Sequence, residues 1–349
     1  MIKDGFNQPA FNAMPQVTFV LFAYNQEQFI REAVSSALMQ DYESLNIIIS
    51  DDFSSDTTFE IIKSMVDRYI GPHKIILNRN ETNLGGYGFC AHVNKVFELV
   101  QDDLIIIAAG DDISLPERTS VIVDAWLAAG KPSGSLHSAV RTISTLPLKN
   151  DKVIRGRATF DDLSIRRAIR TGVVGLLGCS HAITRDIFTG FGRLPDSIVF
   201  EDRALAFRSF LAGKIIYCDR VLVRYRIHTE NLSGESVFNN NEKWQRWINN
   251  IIGVHQSFLL DFCFFNKNKT MQESILNEIK NSVKNAENSR LLVNGNFTQR
   301  LGSSLSYTKN LAFADRLAFT FKIFGWNKGF VFKVLSSTLK FSRKIGRLL

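Results

Sequence analysis

Cysteine is scarce in this chain, and what there is carries no pattern: Cys90, Cys179, Cys218 and Cys263 follow no CxxC or Cys/His ligand spacing. A structural zinc and a disulfide framework are therefore unsupported, and the thiols read as reduced and mostly buried, as in a cytosolic protein. Long apolar runs are missing too. No charge-free stretch reaches the ~18 residues of a membrane-crossing helix, and Met1 to Gln16 is polar, without the apolar centre of a signal peptide. There is no internal repeat and no low-complexity tract. Against these absences stand 349 residues that are 45% hydrophobic and 22% charged, with 28 Phe. Such a composition buries a sizeable core and is not that of a disordered chain. The length suggests one large domain with something smaller attached.

The first half alternates strand and helix signals. Val17 to Ala23 is a near-continuous apolar run, as expected of a strand covered on both faces. Asn25 with Gln28 predicts a capping box for a helix carrying Ile30, Val34, Ala37 and Leu38. Leu45 to Ser50 reads as a second buried strand, followed by a helix whose Thr57-Thr58-Phe59-Glu60 fits the T-x-x-E cap. Lys74 to Leu77 is a third strand, Gly88 to Val100 a helix, Leu104 to Ala108 a strand, and Pro116 to Ala129 a helix stopped by Gly130. This alternation predicts an α/β fold with a mostly parallel sheet wound by helices. Further on, Asp161 to Thr171 and Glu201 to Ala212 read as helices, and Lys214 to Tyr217 and Val221 to Tyr225 as two strands. The polar stretch Thr229 to Asn241 suggests a boundary, dividing the chain into 1–238 and a helical region over 239–349.

Two acidic pairs stand out by position. Asp111-Asp112 ends the strand-like run Leu104 to Ala108, and Asp51-Asp52 ends the second strand. In a parallel sheet, ligands bind beyond the carboxyl ends of the strands. Adjacent carboxylates there repel each other, and a hard divalent cation such as magnesium or manganese would relieve that, with phosphate oxygens as further ligands. The plain alternative is a solvated loop whose acids sit near a helix start. For Asp51-Asp52 the functional reading is acceptance of a base imide N–H or a ribose hydroxyl; the plain one is a turn capping the next helix.

Other segments are weaker alone. Asn83-Leu84-Gly85-Gly86-Tyr87-Gly88 precedes a helix and allows close backbone approach, yet it lacks both the P-loop Lys-Ser/Thr and the dinucleotide spacing. Glu201-Asp202 opens a helix, where acids are commonly dipole partners, although one facing a cleft would serve as a general base. Tyr225-Arg226-Ile227-His228 closes a strand; His228 is either ordinary structure or a metal or diphosphate contact, and Arg226 is suited to phosphate.

Taken in order, Thr18 to Asn25, Asp51 to Asp56, Asn83 to Gly86, Gly110 to Arg118, Glu201 to Arg208 with Gly213-Lys214, and Tyr225 to Ser233 resemble the family 2 glycosyltransferases of GT-A fold. The resemblance covers roughly residues 17–230. It implies an inverting transfer from a UDP-, GDP- or dTDP-linked sugar to a saccharide or lipid-linked acceptor, with Mn2+ or Mg2+ as cofactor, in the making of a surface polysaccharide or other glycoconjugate. It implies donor contacts from Ala23, Tyr24, Asn25, Asp51, Asp52, Asn83, Gly85, Gly86, Asp111 and Arg226. Asp111, Asp112 and His228 are its implied metal ligands, and Asp202 its implied catalytic base. Two departures are visible. The usual D-A-D-D reads Ala109-Gly110-Asp111-Asp112, so the first acid is missing, and Phe53 replaces the glycine of D-D-G-S-T-D.

From Leu311 to Leu349 eight basic residues face one acid, Asp315, so this stretch carries +7 of the net +8. Phe313, Leu317 and Phe321, then Val331, Leu335 and Leu339, recur four apart with Lys and Arg interleaved. Either these are helices packed on the domain with a solvated basic side, or they lie in an anionic membrane surface, where each basic residue adds ~1 kcal/mol. The Phe density and charge favour the membrane, and so a cytoplasmic protein peripheral on the inner face. Two rivals stay in view. A non-catalytic nucleotide-sugar-binding or scaffold protein would have no need of Asp202. A nucleic-acid partner is not expected, because the strand ends are acidic where it would require basic and aromatic residues.

Overall fold

The structure, a computed structural model, describes residues 14–86, 88–145, 151–157, 161–172, 174–228, 241–265 and 273–288. The chain begins with β1 (Val17–Ala23), α1 (Ile30–Leu38), β2 (Leu45–Asp51), α2 (Thr58–Val66), β3 (Lys74–Arg79), α3 (Phe89–Phe97) and β4 (Leu104–Ala109). A two-residue strand β5 (Ile113–Ser114) and α4 (Arg118–Ala128) follow, then β6 (Gly134–Ser144), β7 (Val153–Ile154) and α5 (Asp162–Thr171). Next come β8 (Ala182–Thr184), α6 (Arg185–Phe191), α7 (Glu201–Ala212), β9 (Lys214–Ile227), α8 (Asn241–Phe265) and α9 (Glu273–Asn288). One sheet runs in the order β3-β2-β1-β4-β8-β6-β9-β5, with β7 paired to β6. The first four strands are parallel. β8 is antiparallel to β4 and to β6, while β6 and β9 are parallel to each other. This is the helix-wound α/β sheet expected, with the antiparallel β8 inserted beside its parallel core.

Burial explains the apolar strand runs. Phe19 and Leu21 of β1 pack under α1 and α4, beside Ile30, Val34, Ile122 and Trp126. Val20 and Phe22 point the other way, into a cluster shared with Val93 of α3, Leu205 of α7 and Phe258 of α8. A strand buried on both faces needs apolar residues at every position. Helix α8 joins the second cluster through Phe258, which stacks on Phe207 at 4.0 Å between ring centroids. A buried ion pair, Arg208 Nε to Asp261 Oδ2 at 3.0 Å, ties the same two helices.

Three local expectations change. Asn25 does not cap α1, whose first turn has no side-chain cap. Asn25 instead stands at φ +49° and its Oδ1 accepts the Ser55 N–H at 2.9 Å. Thr57 likewise makes no cap for α2; its hydroxyl donates to Glu27, and Asp56 Oδ1 accepts the Thr58 N–H. Both corrections share a cause: the side chains found partners about thirty residues away across the strand ends. The two strands expected over 214–225 are one continuous β9, because a bulge opposite Ser138–Val140 absorbs the turn-like Asp219-Arg220 without ending the pairing. The basic stretch from Leu311 lies outside the described residues, and so does most of the expected polar boundary. Among the described residues no helix is long and apolar enough to cross a membrane.

Candidate functional site

Register brings the site together. Ala23 of β1 pairs with Asp51 of β2, and Phe22 with Ala109 of β4. Three parallel strands thus end at one level, and Tyr24, Asp52 and Gly110 emerge side by side. Beyond them opens a cleft of about 790 Å³. Ala23, Tyr24, Asp52, Asn83, Gly85 and Gly86 form one part of its wall. Asp111, Asp112 and Asp202 line it as well. Asn25, Asp51, Arg226 and His228 are not among the residues that line it.

Asp52 is the anchor of the first wall. It is 2% exposed. Its Oδ1 accepts from Asn80 Nδ2 at 2.7 Å and from the Leu84 N–H at 2.9 Å, and its Oδ2 accepts from the Gly85 N–H at 2.7 Å. A carboxylate with three donors is held in one orientation. A side chain at Gly85 would crowd this arrangement, since a Cβ would lie 2.9 Å from Asp52 Oδ2. Asp51, fully buried, supports the turn instead: its oxygens accept the Ser54 N–H and hydroxyl, with Arg79 Nε at 3.5 Å. Burial pushes the Asp51 carboxyl up, against those hydrogen bonds. Phe53 holds φ +61°, the left-handed conformation that favours glycine, and is half-exposed at the rim.

The second acidic pair divides its labour. Asp112 is buried and its Oδ1 accepts the Arg226 N–H at 2.8 Å. Burial, then the neighbouring Asp111, raise its carboxyl well above the usual range. This contact follows from β5, whose antiparallel pairing of Ile113 with Arg224 carries Arg226 past the acids. Arg226 Nε also donates to the Asp111 carbonyl, and its guanidinium pairs with Glu32 at 3.3 Å. Asp111 Oδ2 lies 3.0 Å from His228 Nε2. The place of the missing first acid is held by Ala109; at Gly110, where the usual pattern has alanine, a Cβ would meet the side chains of Gln26 and Ile30.

Whether these residues suit a divalent cation can be tested on their geometry. Among the described residues no three His, Cys, Asp or Glu side chains are arranged as a metal cage. Magnesium and manganese do not require one, since one or two protein ligands plus substrate phosphates suffice. Neighbouring ligands of an octahedral ion at ~2.1 Å lie about 3 Å apart, and Asp111 Oδ2 and His228 Nε2 already have that separation. The pair fits a cation shared with a phosphorylated ligand. Asp112, with one oxygen engaged by a backbone N–H, is placed to support it.

Asp202 arrives from the other side, at the start of α7. Its Oδ1 accepts the Arg203 N–H at 2.9 Å. Its Oδ2 lies so close to Gly178 that a Cβ there would be 2.5 Å away. Burial raises the Asp202 carboxyl, and Arg203 opposes the shift. Glu201 beside it is raised well above the usual range by burial and then by Asp202. Leu176, Leu177, Gly178 and Cys179 complete this wall. The glycine-rich run from Gly172 to Gly178 carries no role legible in the sequence; its contact with Asp202 supplies one.

Two more lining residues had no sequence signal. His92 of α3 is buried between Phe22 and Phe89, each edge-on to its ring. Ser50 Oγ accepts from Asn78 Nδ2 and lies within hydrogen-bond distance, 2.7 Å, of His92 Nε2. Burial holds the His92 pKa down to about 4. Arg246 of α8 also lines the cleft, its Nη2 donating to the Gly85 carbonyl at 3.1 Å.

The arrangement has parallels in known proteins. Residues 18–188 match the model of the glycosyl transferase family 2. The putative glycosyltransferase EpsE of Bacillus subtilis (strain 168) is 32% identical over 107 residues, 31% of this chain and 37% of that protein. The succinoglycan biosynthesis protein ExoO of Rhizobium meliloti (strain 1021) is 30% identical over 124 residues, 36% of this chain and 33% of that protein. The match thus spans about a third of either relative's length. Among solved structures, S. aureus TarS 1-349 has a TM-score of 0.56 at 13% identity, over 87% of this chain and 83% of that one. The same fragment in complex with UDP-GlcNAc has a TM-score of 0.56 at 15% identity, with the same coverage. At such identity the likeness speaks for the GT-A fold. On its sheet, its acid-lined cleft and its matched residues, the region 18–188 is of the glycosyl transferase family 2 type.

Proposed function

We propose that this protein transfers a sugar from a nucleoside-diphosphate donor to a hydroxyl acceptor, with inversion at the anomeric carbon. The observation that carries the proposal is convergence. Asp52 from the end of β2, Asp111 and Asp112 from the turn after β4, and Asp202 from the start of α7 line one cleft. Asp52, with the loop it holds at Leu84 and Gly85, receives the base and ribose end of the donor, alongside Ala23, Tyr24, Asn83 and Gly86. Asn25 and Asp51 shape that turn. Asp111 and His228, backed by Asp112 and Arg226, would hold Mn2+ or Mg2+, which when bound offsets charge on the departing diphosphate.

Asp202 takes the proton from the acceptor hydroxyl. The freed oxygen forms its bond to the anomeric carbon as the bond from that carbon to the diphosphate oxygen breaks, and a single displacement inverts the centre. The raised Asp202 carboxyl is a stronger base than an ordinary aspartate once ionised, which suits it to that step. The likeness to the succinoglycan biosynthesis protein ExoO supports a place in polysaccharide synthesis. The basic, Phe-rich stretch from Leu311 supports docking on an anionic membrane where a lipid-linked acceptor resides. We accordingly read 1–238 as the catalytic domain and 239–349 as its helical companion, in a cytoplasmic protein held at the inner face.

Asp202→Asn tests the reaction. Donor binding stays within about twofold, and transfer falls ~10³-fold, as expected for loss of a general base. Full turnover would remove Asp202 from its role. A chain ending at Asn310 tests the membrane: it no longer floats with anionic liposomes, and unchanged flotation refutes the docking.

A further inference from the structure

Away from the donor cleft, the β6–β9 end of the sheet places two arginines against each other. Arg141 of β6 and Arg224 of β9 are register partners on neighbouring parallel strands. Such strands lie ~4.8 Å apart and their register partners project on one face, so the two side chains leave the sheet side by side. Both are exposed. Like charges directly opposite each other across a sheet are destabilising. Nearby arginines have acids to meet: Arg155 pairs with Asp219, Arg220 with Glu117 and Arg226 with Glu32. Among the described residues, neither Arg141 nor Arg224 has an ion pair or a side-chain hydrogen bond.

The two line a cavity of about 400 Å³, together with Leu115, Ile143, Val221 and Asp151. It shares no lining residue with the donor cleft. The strands account for the separation. Val140 and Tyr225 line the donor cleft, and Arg141 and Arg224, next to them in sequence, project on the other face of the sheet. The bulge in β9 sets Val221 opposite Ala139, and so on the same face as the arginines. Leu115, Ile143 and Val221 are half-buried and give the cavity an apolar side. Asp151 is its one acid, so two guanidiniums leave the lining positive.

We infer that Arg141 and Arg224 form a second binding site, for the phosphate group of a phosphate ester, on the face of the sheet turned away from the donor cleft. The volume is that of a small-ligand site. Two planar guanidiniums side by side offer paired N–H groups to the oxygens of one phosphate, and each such charge-assisted contact is about twice as strong as a neutral hydrogen bond. The bound anion also relieves the repulsion between the arginines. A bare anion has no use for Leu115, Ile143 and Val221, whereas the carbon part of an ester covers them. None of this depends on the transfer reaction proposed above. Soluble esters and phospholipid headgroups carry the same phosphate, and the test separates them.

The full chain is titrated calorimetrically, in EDTA, with glycerol 3-phosphate, and is floated with vesicles of phosphatidylglycerol or of phosphatidylcholine. Arg141→Ala and Arg224→Ala each weaken the ester about tenfold, and the double variant shows no binding. Arg224→Lys keeps the charge without the planar fork and falls between. Wild-type affinity falls as salt is added. Without ligand the single variants melt no lower than the wild type, since each removes one of two repelling charges; a lower melting temperature would make the arginines props of the sheet and overturn the inference. Binding of the soluble ester that the double variant loses assigns the site to a free ligand. Flotation on phosphatidylglycerol that falls in the double variant, with no response to the soluble ester, assigns it to a lipid headgroup; any contribution of the basic stretch from Leu311 is common to both proteins. A double variant that responds to both as the wild type does would place the phosphate elsewhere, and a wild type that responds to neither would leave the cavity without its ligand. Either result overturns the inference.

Discussion

The parallel half of the sheet and the half built on β6 and β9 supply the cleft by different routes. In the first, β1, β2 and β4 end at a common level, and the residues that follow, Tyr24, Asp52 and Gly110, reach the cleft directly from the strands. In the second, Gly178 opens a single 3-10 turn, Glu201 and Asp202 open a helix, and Arg246 comes from a helix beyond the last strand. Their positions depend on contacts between elements far apart in sequence, such as Asn250 to Val199 and Gly178 to Asp202. One half thus holds its groups by backbone register. The other holds them by packing.

The largest effect should come from the half held by register. Asp52→Ala leaves Asn80 Nδ2 and the Leu84 and Gly85 N–H groups without their acceptor. Each partly buried orphan costs about 1 kcal/mol or more, so the variant loses roughly 2–4 kcal/mol of stability in urea unfolding. It also loses nucleotide binding, because the loop it organised is released. A variant that binds UDP normally would show that register alone, without this carboxylate, shapes the wall.

That contrast also marks what is legible in the sequence. Strands with apolar runs and acids at their ends are local patterns, so Asp52, Asp111 and Asp112 stand out by residue type and position alone. Asp202 is different: acids open many helices for electrostatic reasons alone, and only the resemblance of the whole motif order singles it out. Gly178 and Arg246 have no local signal, because their significance is a distance to something 24 and 161 residues away, Asp202 and Gly85. Asn25 misleads for the same reason. Its sequence neighbours offer a helix to cap, while its structural neighbour is Ser55. At Phe53, which stands where the resemblance has a glycine, the φ of +61° is the left-handed backbone that glycine favours, a need that only the structure reveals.

Gly178→Ala probes the packed half with a smaller and more selective effect. Its backbone is not in the left-handed region, so alanine is tolerated there conformationally, yet the added Cβ would sit 2.5 Å from Asp202 Oδ2. The carboxylate must move. Misplacing a catalytic group by about 1 Å lowers turnover on the order of 10²-fold, and the expected result is a fall in kcat with nucleotide affinity unchanged. Loss of both in equal measure would mean that the two halves are mechanically one wall.

The smallest effect is a pH dependence that belongs to the packed half alone. Burial raises the Asp202 carboxyl in the folded protein, so the native state keeps a proton that the unfolded chain has already released. Native stability then falls as pH rises through the interval between the ordinary aspartate value and the raised one, and levels off above it. Asp202→Asn has no such proton to lose. It also spares Glu201 the neighbour that, after burial itself, does most to raise it. The melting temperature of Asp202→Asn should therefore match the wild type at acid pH and exceed it by roughly 1–3 °C at neutral pH. The same variant that abolishes transfer would thus be the more stable protein where the enzyme works. A difference that is flat across pH would show that Asp202 pays no burial penalty when ionised, and that its environment is as polar as that of a strand-end acid.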